Sequence, residues 1–218
     1  MNKLELSKPT LLMLYGFPGS GKSFFSRQFC EDIHAAHIQS ERIRYELFDE
    51  PRYDKQENEI ISHLMDYMSE EFLQAGVSVL YDMNASTMNR RRILRDLARK
   101  AKAEHAMIWF QIDLESAFIR AAKRDKRKTD DKYSKDIDRN AFEDLTARMQ
   151  NPTRTEDFMV ISGKHTYQTQ RSAVIKKLYD MGLINPQVAA SKVVKPGLVN
   201  LIPNRGRVDQ SRRNIMIR

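Results

Sequence analysis

The sequence contains one cysteine, Cys30, in 218 residues. A single thiol excludes an internal disulfide and any metal site built from several cysteines. A reducing, cytoplasmic location is the simplest expectation. Long apolar runs are also missing. The run over residues 11–15 is far too short to cross a bilayer, and a glycine-rich segment follows it where a signal peptide would carry a cleavage site. We therefore expect no association with a membrane.

The positive charge is concentrated at one end of the chain. The formal net charge is +8, but residues 191–218 hold seven cations and one anion, so the rest of the sequence is nearly balanced. Residues 186–218 also contain three of the seven prolines and have no helical period. We expect one domain over residues 1–185 and an extended basic tail over residues 186–218. Such a tail suits an anionic partner or a second copy of the chain, although solvated surface charge is an equally simple explanation.

Short apolar runs alternate with longer amphipathic stretches between residues 10 and 181. Strands are predicted over residues 10–15, 36–39, 77–81, 106–112 and 158–161. Helices are predicted over residues 22–33, 56–74, 88–103, 114–127 and 167–181. The apolar side of the second helix should consist of Ile60, Leu64, Tyr67 and Met68. This alternation predicts an α/β fold in which helices cover both faces of a five-stranded parallel sheet.

The segment Gly16-Phe-Pro-Gly-Ser-Gly-Lys-Ser23 matches the phosphate-loop pattern at the first strand–helix junction. Its glycines permit the backbone to turn amide groups inward, and together with the helix N-terminus these amides form a nest for phosphate. Lys22 should reach the β- and γ-phosphates of a nucleotide, and the Ser23 hydroxyl should bind Mg²⁺. The predicted nucleotide-binding residues are Gly16, Pro18, Gly19, Ser20, Gly21, Lys22, Ser23 and Phe24.

Further motifs accompany the loop: Ser40-Glu-Arg-Ile-Arg44, Tyr81-Asp82-Met-Asn84, the pair Arg120 and Arg124, Pro152-Thr-Arg-Thr-Glu156, and Ser162-Gly163 after the last strand. Taken together they resemble the polynucleotide-kinase-like group of small phosphate-loop kinases, which is related to zeta-toxin and small-molecule kinases. The resemblance covers roughly residues 10–180. It implies a P-loop NTPase fold with a helical lid at about residues 123–140.

The resemblance also implies roles on the acceptor side. Glu41 occupies the position of the family's usual Asp, the general base toward the acceptor hydroxyl, and Arg44 occupies that of an acceptor-binding arginine. Glu is one methylene longer than Asp, so the geometry of the base differs from the family pattern. Asn84 would position the acceptor. The simpler structural alternatives are a helix start at Ser40 and Glu41, and a turn at Asn84.

On the phosphate side, Asp82 ends an apolar strand beside the loop, the arrangement that holds Mg²⁺ together with Ser23. Arg120 and Arg124 are four residues apart and would offset the charge of the transferred phosphoryl group, whereas a solvated cationic helix face is the alternative. Gly163 would border the adenine.

We therefore expect an ATP- and Mg²⁺-dependent kinase that phosphorylates a hydroxyl of a nucleic acid, a nucleotide or a small molecule. Lys22, Glu41, Asp82, Arg120 and Arg124 would be its catalytic residues. The alternative is an ATP-binding interaction or switch protein, an NTPase, whose basic tail binds nucleic acid or a partner subunit. The sequence leaves the acceptor, the oligomeric state and the base preference open.

Overall fold

The computed structural model describes residues 3–124, 133 and 137–185. Its centre is a five-stranded, all-parallel sheet in the order β2-β3-β1-β4-β5. The strands are β1 (Thr10–Gly16), β2 (Ala35–Gln39), β3 (Ser78–Asn84), β4 (Glu104–Gln111) and β5 (Phe158–Ser162). The predicted α/β fold with five parallel strands is confirmed.

Seven helices are described: α1 (Lys22–Asp32), α2 (Ser40–Leu47), α3 (Lys55–Gln74), α4 (Met88–Lys100), α5 (Leu114–Ala122), α6 (Arg139–Ala147) and α7 (Tyr167–Asp180). Helices α1 and α7 pack on one face of the sheet, and α3 and α4 pack on the other. Helices α3, α4, α5 and α6 each begin with a side chain that accepts a backbone N–H of the first turn. None of the helices described here is long and apolar enough to span a membrane.

Strand β1 is buried along its whole length because helices cover both of its faces. Leu12 and Leu14 belong to the core beneath α1 and α7, whereas Leu11 and Met13 belong to the core beneath α3 and α4. This two-sided burial explains the continuous apolar run, which is typical of a central parallel strand. It also fixes where β1 ends, and therefore where the phosphate loop begins.

The buried side of α3 differs from the prediction. Ile61, Met65, Ser69 and Leu73 face the sheet, whereas Ile60 and Tyr67 are 44% and 63% exposed. The helix carries apolar residues on two adjacent stripes, so periodicity alone did not identify the stripe that packs. The buried stripe tolerates Ser69 because its hydroxyl donates to the Met65 carbonyl oxygen, 2.7 Å away.

The helices differ from the prediction in two further ways. Helix α5 ends at Ala122 rather than near residue 127, so Arg124 follows the helix instead of sharing a face with Arg120. Helices α2 and α6 are additional elements that the apolar pattern does not predict. Most of the predicted lid at residues 123–140, and the whole tail at residues 186–218, lie outside the described residues.

A buried ion pair ties α4 to the segment that leads into β5. The Arg91 guanidinium donates to both carboxylate oxygens of Glu156, with Nε–Oε1 and Nη2–Oε2 distances of 2.8 and 2.9 Å. Arg91 also donates to the carbonyl oxygens of Ala85 and Gln150. Both charged groups are buried. The arginine lowers the pKa of the Glu156 carboxyl below its usual range.

Removing one partner of this pair should destabilise the fold strongly. Glu156→Gln leaves the Arg91 charge buried without a counterion, which typically costs about 3–5 kcal/mol in the free energy of unfolding. Urea unfolding measures the change. Arg99→Ala is the matched control, because the Arg99–Asp96 pair lies on the surface of the same helix, and it should change stability by less than about 1 kcal/mol. Equal effects of the two substitutions would contradict a structural role for the buried pair.

Candidate active site

The phosphate-loop segment, residues 16–23, connects β1 to α1 at the carboxyl edge of the sheet. Gly19 has a φ of 79°, and a Cβ there would lie 2.1 Å from the Ala117 carbonyl oxygen of α5. Only glycine permits both this backbone conformation and this close approach. The Ser20 N–H donates to the Phe17 carbonyl oxygen at 3.1 Å and closes the turn. The predicted loop therefore has the bend that its glycines imply.

Lys22 lies at the start of α1, and its ammonium group is turned back over the loop. Its Nζ donates to the carbonyl oxygens of Gly16 and Phe17, both at 2.8 Å. Burial lowers the pKa of Lys22 to about 7, whereas Asp82 acts to raise it and Arg124 to lower it further. An anion bound beside this buried ammonium would favour its protonated form.

A hydroxyl group and a carboxylate, those of Ser23 and Asp82, meet behind the loop. The Ser23 hydroxyl donates to Asp82 Oδ1 at 3.1 Å, so residues 59 positions apart in the sequence become neighbours. Asp82 is 4% exposed and ends the buried part of β3. His37 of β2 lies on the other side of the carboxylate, with Nε2 3.1 Å from Asp82 Oδ2. Oxygen donors of this kind are those that Mg²⁺ prefers.

Glu41 lies in the first turn of α2, directly after β2. Its Oε2 accepts a hydrogen bond from the Tyr53 hydroxyl at 2.9 Å. Burial raises the pKa of the Glu41 carboxyl, while the Tyr53 hydrogen bond and the nearby Arg44 and Arg124 charges act to lower it. Glu41 both begins a helix and faces the loop, so the structural and catalytic interpretations of this motif are compatible.

Arg44 is turned away from the loop. Its guanidinium is 2% exposed and pairs with Glu57, while Nη2 donates to Asn58 Oδ1 at 2.7 Å. It also lies under the Tyr53 ring, 4.5 Å from the ring centroid. These contacts bind α2 to the start of α3. The structure therefore places Arg44 beneath the site rather than in its opening.

A cavity of about 190 Å³ brings the predicted charged residues together. It is lined by Gly19, Gly21, Lys22, Ser23, Phe24, Gln39, Glu41, Arg120, Arg124 and Tyr133. Arg120 Nη1 donates to the Gly163 carbonyl oxygen at 2.7 Å, which joins α5 to the loop after β5. A Cβ on Gly163 would lie 2.7 Å from the Ser20 carbonyl oxygen, so this loop contacts the phosphate loop directly.

Asn84 supports the phosphate loop from β3. The Gly16 N–H donates to Asn84 Oδ1 at 3.3 Å. Asn84 also lines a second cavity of about 620 Å³, together with Tyr53, Lys55, Asn58, Glu59, Ser62, Met83, Ser86, Arg90 and Arg148. Tyr53 thus contacts Glu41 through its hydroxyl and faces this second cavity as well.

Sequence reasoning did not identify two residues of this site. His37 belongs to no motif in the sequence, yet the parallel pairing of β2 with β3 brings it to Asp82. Tyr53 lies in an irregular loop before α3, where neither periodicity nor a motif marks it. Its contact with Glu41 depends on how that loop folds back, which local sequence does not encode.

Residues 11–152 match the AAA domain family. No curated protein matches the sequence significantly. Among solved structures, a gluconokinase from Sinorhizobium meliloti is 12% identical, with a TM-score of 0.58 and coverage of 81% of this chain and 94% of that one. Kti12 from Chaetomium thermophilum, solved in complex with ADP-AlF3, is 16% identical, with a TM-score of 0.60 and coverage of 79% and 98%.

The Pnkp1/Rnl/Hen1 RNA repair complex contains a chain that is 24% identical, with a TM-score of 0.50. That match covers 68% of this chain and 45% of the other. These likenesses show a P-loop NTPase-like fold, in agreement with the sheet order and with the loop between β1 and α1. Because the family match extends over more than half of the sequence, the chain belongs to the AAA domain family of phosphate-loop proteins.

Proposed function

We propose that the protein is an ATP-dependent kinase that transfers the γ-phosphoryl group to a hydroxyl. The observation that carries this proposal is that one cavity is lined by Glu41, Lys22, Ser23, Arg120 and Arg124. A carboxylate able to accept a proton therefore faces the same space as the cations and amides that suit phosphate. A site that only bound a nucleotide would have no need of the carboxylate.

The residues present fit ATP and Mg²⁺. A Cβ at Gly21 would meet open space, so the backbone of the loop is free of side chains there and phosphate oxygens can approach its amides. Ser23 and Asp82 would hold Mg²⁺, since their oxygens lie side by side behind the loop. Bound Mg²⁺ would supply positive charge to the β- and γ-phosphates. The solved Kti12 complex with ADP-AlF3 supports nucleotide binding by this fold.

Cations of this chain would stabilise the phosphoryl group during transfer. Lys22 lies over the loop, and Arg120 and Arg124 line the same cavity. Charge spreads over the γ-oxygens in the transition state, so fixed donors on several sides lower its energy. Arg120 is held by the Gly163 carbonyl oxygen, which keeps one side of this arrangement in place.

Glu41 would accept the proton of the acceptor hydroxyl. Burial raises the pKa of its carboxyl, which makes the carboxylate a stronger base than an exposed glutamate. Tyr53 occupies Oε2, and among the described residues Oε1 accepts no hydrogen bond. The hydroxyl of an acceptor can therefore approach Oε1.

The acceptor is proposed to be polar and to approach from the second cavity, whose described lining includes Arg148, Lys55 and Asn84. Nucleic acids, nucleotides and small hydroxyl compounds all suit this chemistry. The ring of Tyr45, which lies on the same helix as Glu41, has its centroid 5.9 Å from that of the Tyr133 ring. Aromatic faces stack on bases, which supports testing nucleoside-bearing acceptors first.

The proposal is tested by incubating the protein with γ-labelled ATP, Mg²⁺ and a panel of acceptors. The panel contains 5′-hydroxyl oligonucleotides, nucleosides, sugars and sugar acids, and free phosphate is measured in parallel. Transfer of label to any of these hydroxyls would support a kinase. Phosphate release without labelled product across the panel would instead favour the NTPase switch.

Nucleotide binding should depend on Lys22. Lys22→Ala removes the buried ammonium that would pair with the phosphates, so ATP affinity should fall at least tenfold, or transfer should be abolished. Calorimetry and the transfer assay measure these effects. Lys176→Ala, an exposed lysine on α7, is the control. Normal affinity and normal transfer in a folded Lys22→Ala variant would refute the phosphate-loop assignment.

Glu41→Gln should affect chemistry far more than binding. The substitution keeps the size of the side chain but removes its basicity, and loss of a general base typically lowers the rate by about 10²–10⁴. ATP affinity should stay within about twofold. Glu46→Gln, an exposed position on the same helix, should have no effect on either quantity. A transfer rate unaffected by Glu41→Gln would mean that another group is the base.

Arg124→Ala should lower kcat more than it raises the KM for ATP, because the charge that Arg124 offsets is greatest in the transition state. Steady-state kinetics separate the two parameters. Arg42→Ala provides an exposed control on α2. If only KM changes, Arg124 is a ground-state contact of the nucleotide.

A further inference from the structure

Tyr53 has an unusual backbone conformation for its residue type. Its φ is 61°, in the left-handed region that an aromatic residue rarely adopts. Such a conformation is strained and persists only where surrounding contacts impose it. A glycine or asparagine at this position would adopt the same backbone angle at lower cost. The side chain of Tyr53 is therefore expected to do something that a smaller residue could not.

The contacts that impose this conformation come from α2 and α3. Asn58 Nδ2 donates to the Tyr53 carbonyl oxygen at 3.1 Å, and Asn58 is itself held by Arg44. The Arg52 N–H donates to Glu57 Oε2 at 2.7 Å, one residue before Tyr53. The Arg44 guanidinium then lies under the tyrosine ring. Backbone and ring are thus fixed from two sides.

The ring held in this way directs its hydroxyl at Glu41 Oε2. Burial and the nearby Glu41 carboxylate raise the pKa of Tyr53, so the hydroxyl stays protonated and acts as a donor. The Arg44 Nε, which among the described atoms has no hydrogen-bond partner, lies 3.8 Å from the same Oε2. Both groups act on one carboxylate oxygen and leave the other for a ligand.

This arrangement compensates for the extra methylene group of Glu41 by restricting the orientation of its carboxylate. A glutamate has one more rotatable bond than an aspartate, so an unrestrained carboxylate at this position would occupy several orientations. A hydrogen bond from a rigidly held phenol removes that freedom. We propose that Tyr53 is a positioning residue that fixes the Glu41 carboxylate, so that Oε1 faces the acceptor. This inference rests on the proposed function, in which Glu41 is the base.

Tyr53→Phe tests the inference, since it keeps the ring over Arg44 and removes only the hydroxyl. We expect kcat to fall about 10- to 100-fold, because misplacement of a catalytic group carries a penalty of that size, while the KM for ATP stays within twofold. Tyr67→Phe is the matched control, because Tyr67 is 63% exposed on α3. It should behave as wild type.

A double-variant cycle distinguishes positioning from general damage. In the Glu41→Gln background there is no base left to orient, so adding Tyr53→Phe should change the residual rate by at most twofold. Two results would overturn the inference: a Tyr53→Phe kcat within twofold of wild type, or the same loss of rate in both backgrounds.

A second readout does not need an acceptor. The Tyr53 hydrogen bond stabilises the charged carboxylate, so Tyr53→Phe should raise the titration midpoint of the Glu41 side chain, followed by carbon-13 NMR of labelled glutamate. The Glu41 signal is assigned from its loss in Glu41→Gln. If no hydroxyl compound is phosphorylated, the kinase proposal fails while a raised midpoint still supports the Tyr53 contact. An unchanged midpoint contradicts that contact, whatever the activity.

Discussion

The parallel arrangement of the sheet is the constraint on which the rest of the molecule depends. Every strand ends at the same edge, and β1 lies between β3 and β4. This edge therefore brings together three parts of the site that are far apart in the sequence: the phosphate loop after β1, Asp82 at the end of β3 and Glu41 just after β2. Side chains on both faces of β1 bury apolar surface, which stabilises this alignment. Ligand sites in open parallel sheets form at this edge for the same reason.

The pKa values of Lys22 and Glu41 at that edge depend on their burial and on the charged groups beside them, not on the composition of the chain. Lys22 is half-buried and its pKa is lowered to about 7, whereas Glu41 is half-buried and its pKa is raised. Each group is thereby shifted toward its uncharged form by burial, and each is accompanied by opposite charge. A bound polyanion and its cation would change the pKa values of both groups. The net charge of the sequence, +8, gives no indication of this local arrangement.

Much of the fold could be predicted because its signals are local. The apolar runs of β1 and β4, the glycine spacing of residues 16–21 and the turn after α3 are all visible in short windows of sequence. The side of α3 that packs could not be predicted, because two apolar stripes compete and only the sheet beneath decides between them. The ion pair between Arg91 and Glu156 joins residues 65 positions apart, and nothing local marks either one as buried. Tyr53 and His37 are similar cases at the site itself.

The floor of the cavity differs from its walls in how it can be altered. At Gly19 and Gly163, main chain meets main chain, since a Cβ at either position would collide with a carbonyl oxygen of another segment. A surface built in this way offers no side chain to exchange, and its shape changes only if the loops themselves move. The walls include side chains of α2 and α5, Glu41 and Arg120, which can be replaced one at a time. Substitution can therefore reshape the walls of the cavity, whereas the floor keeps its shape.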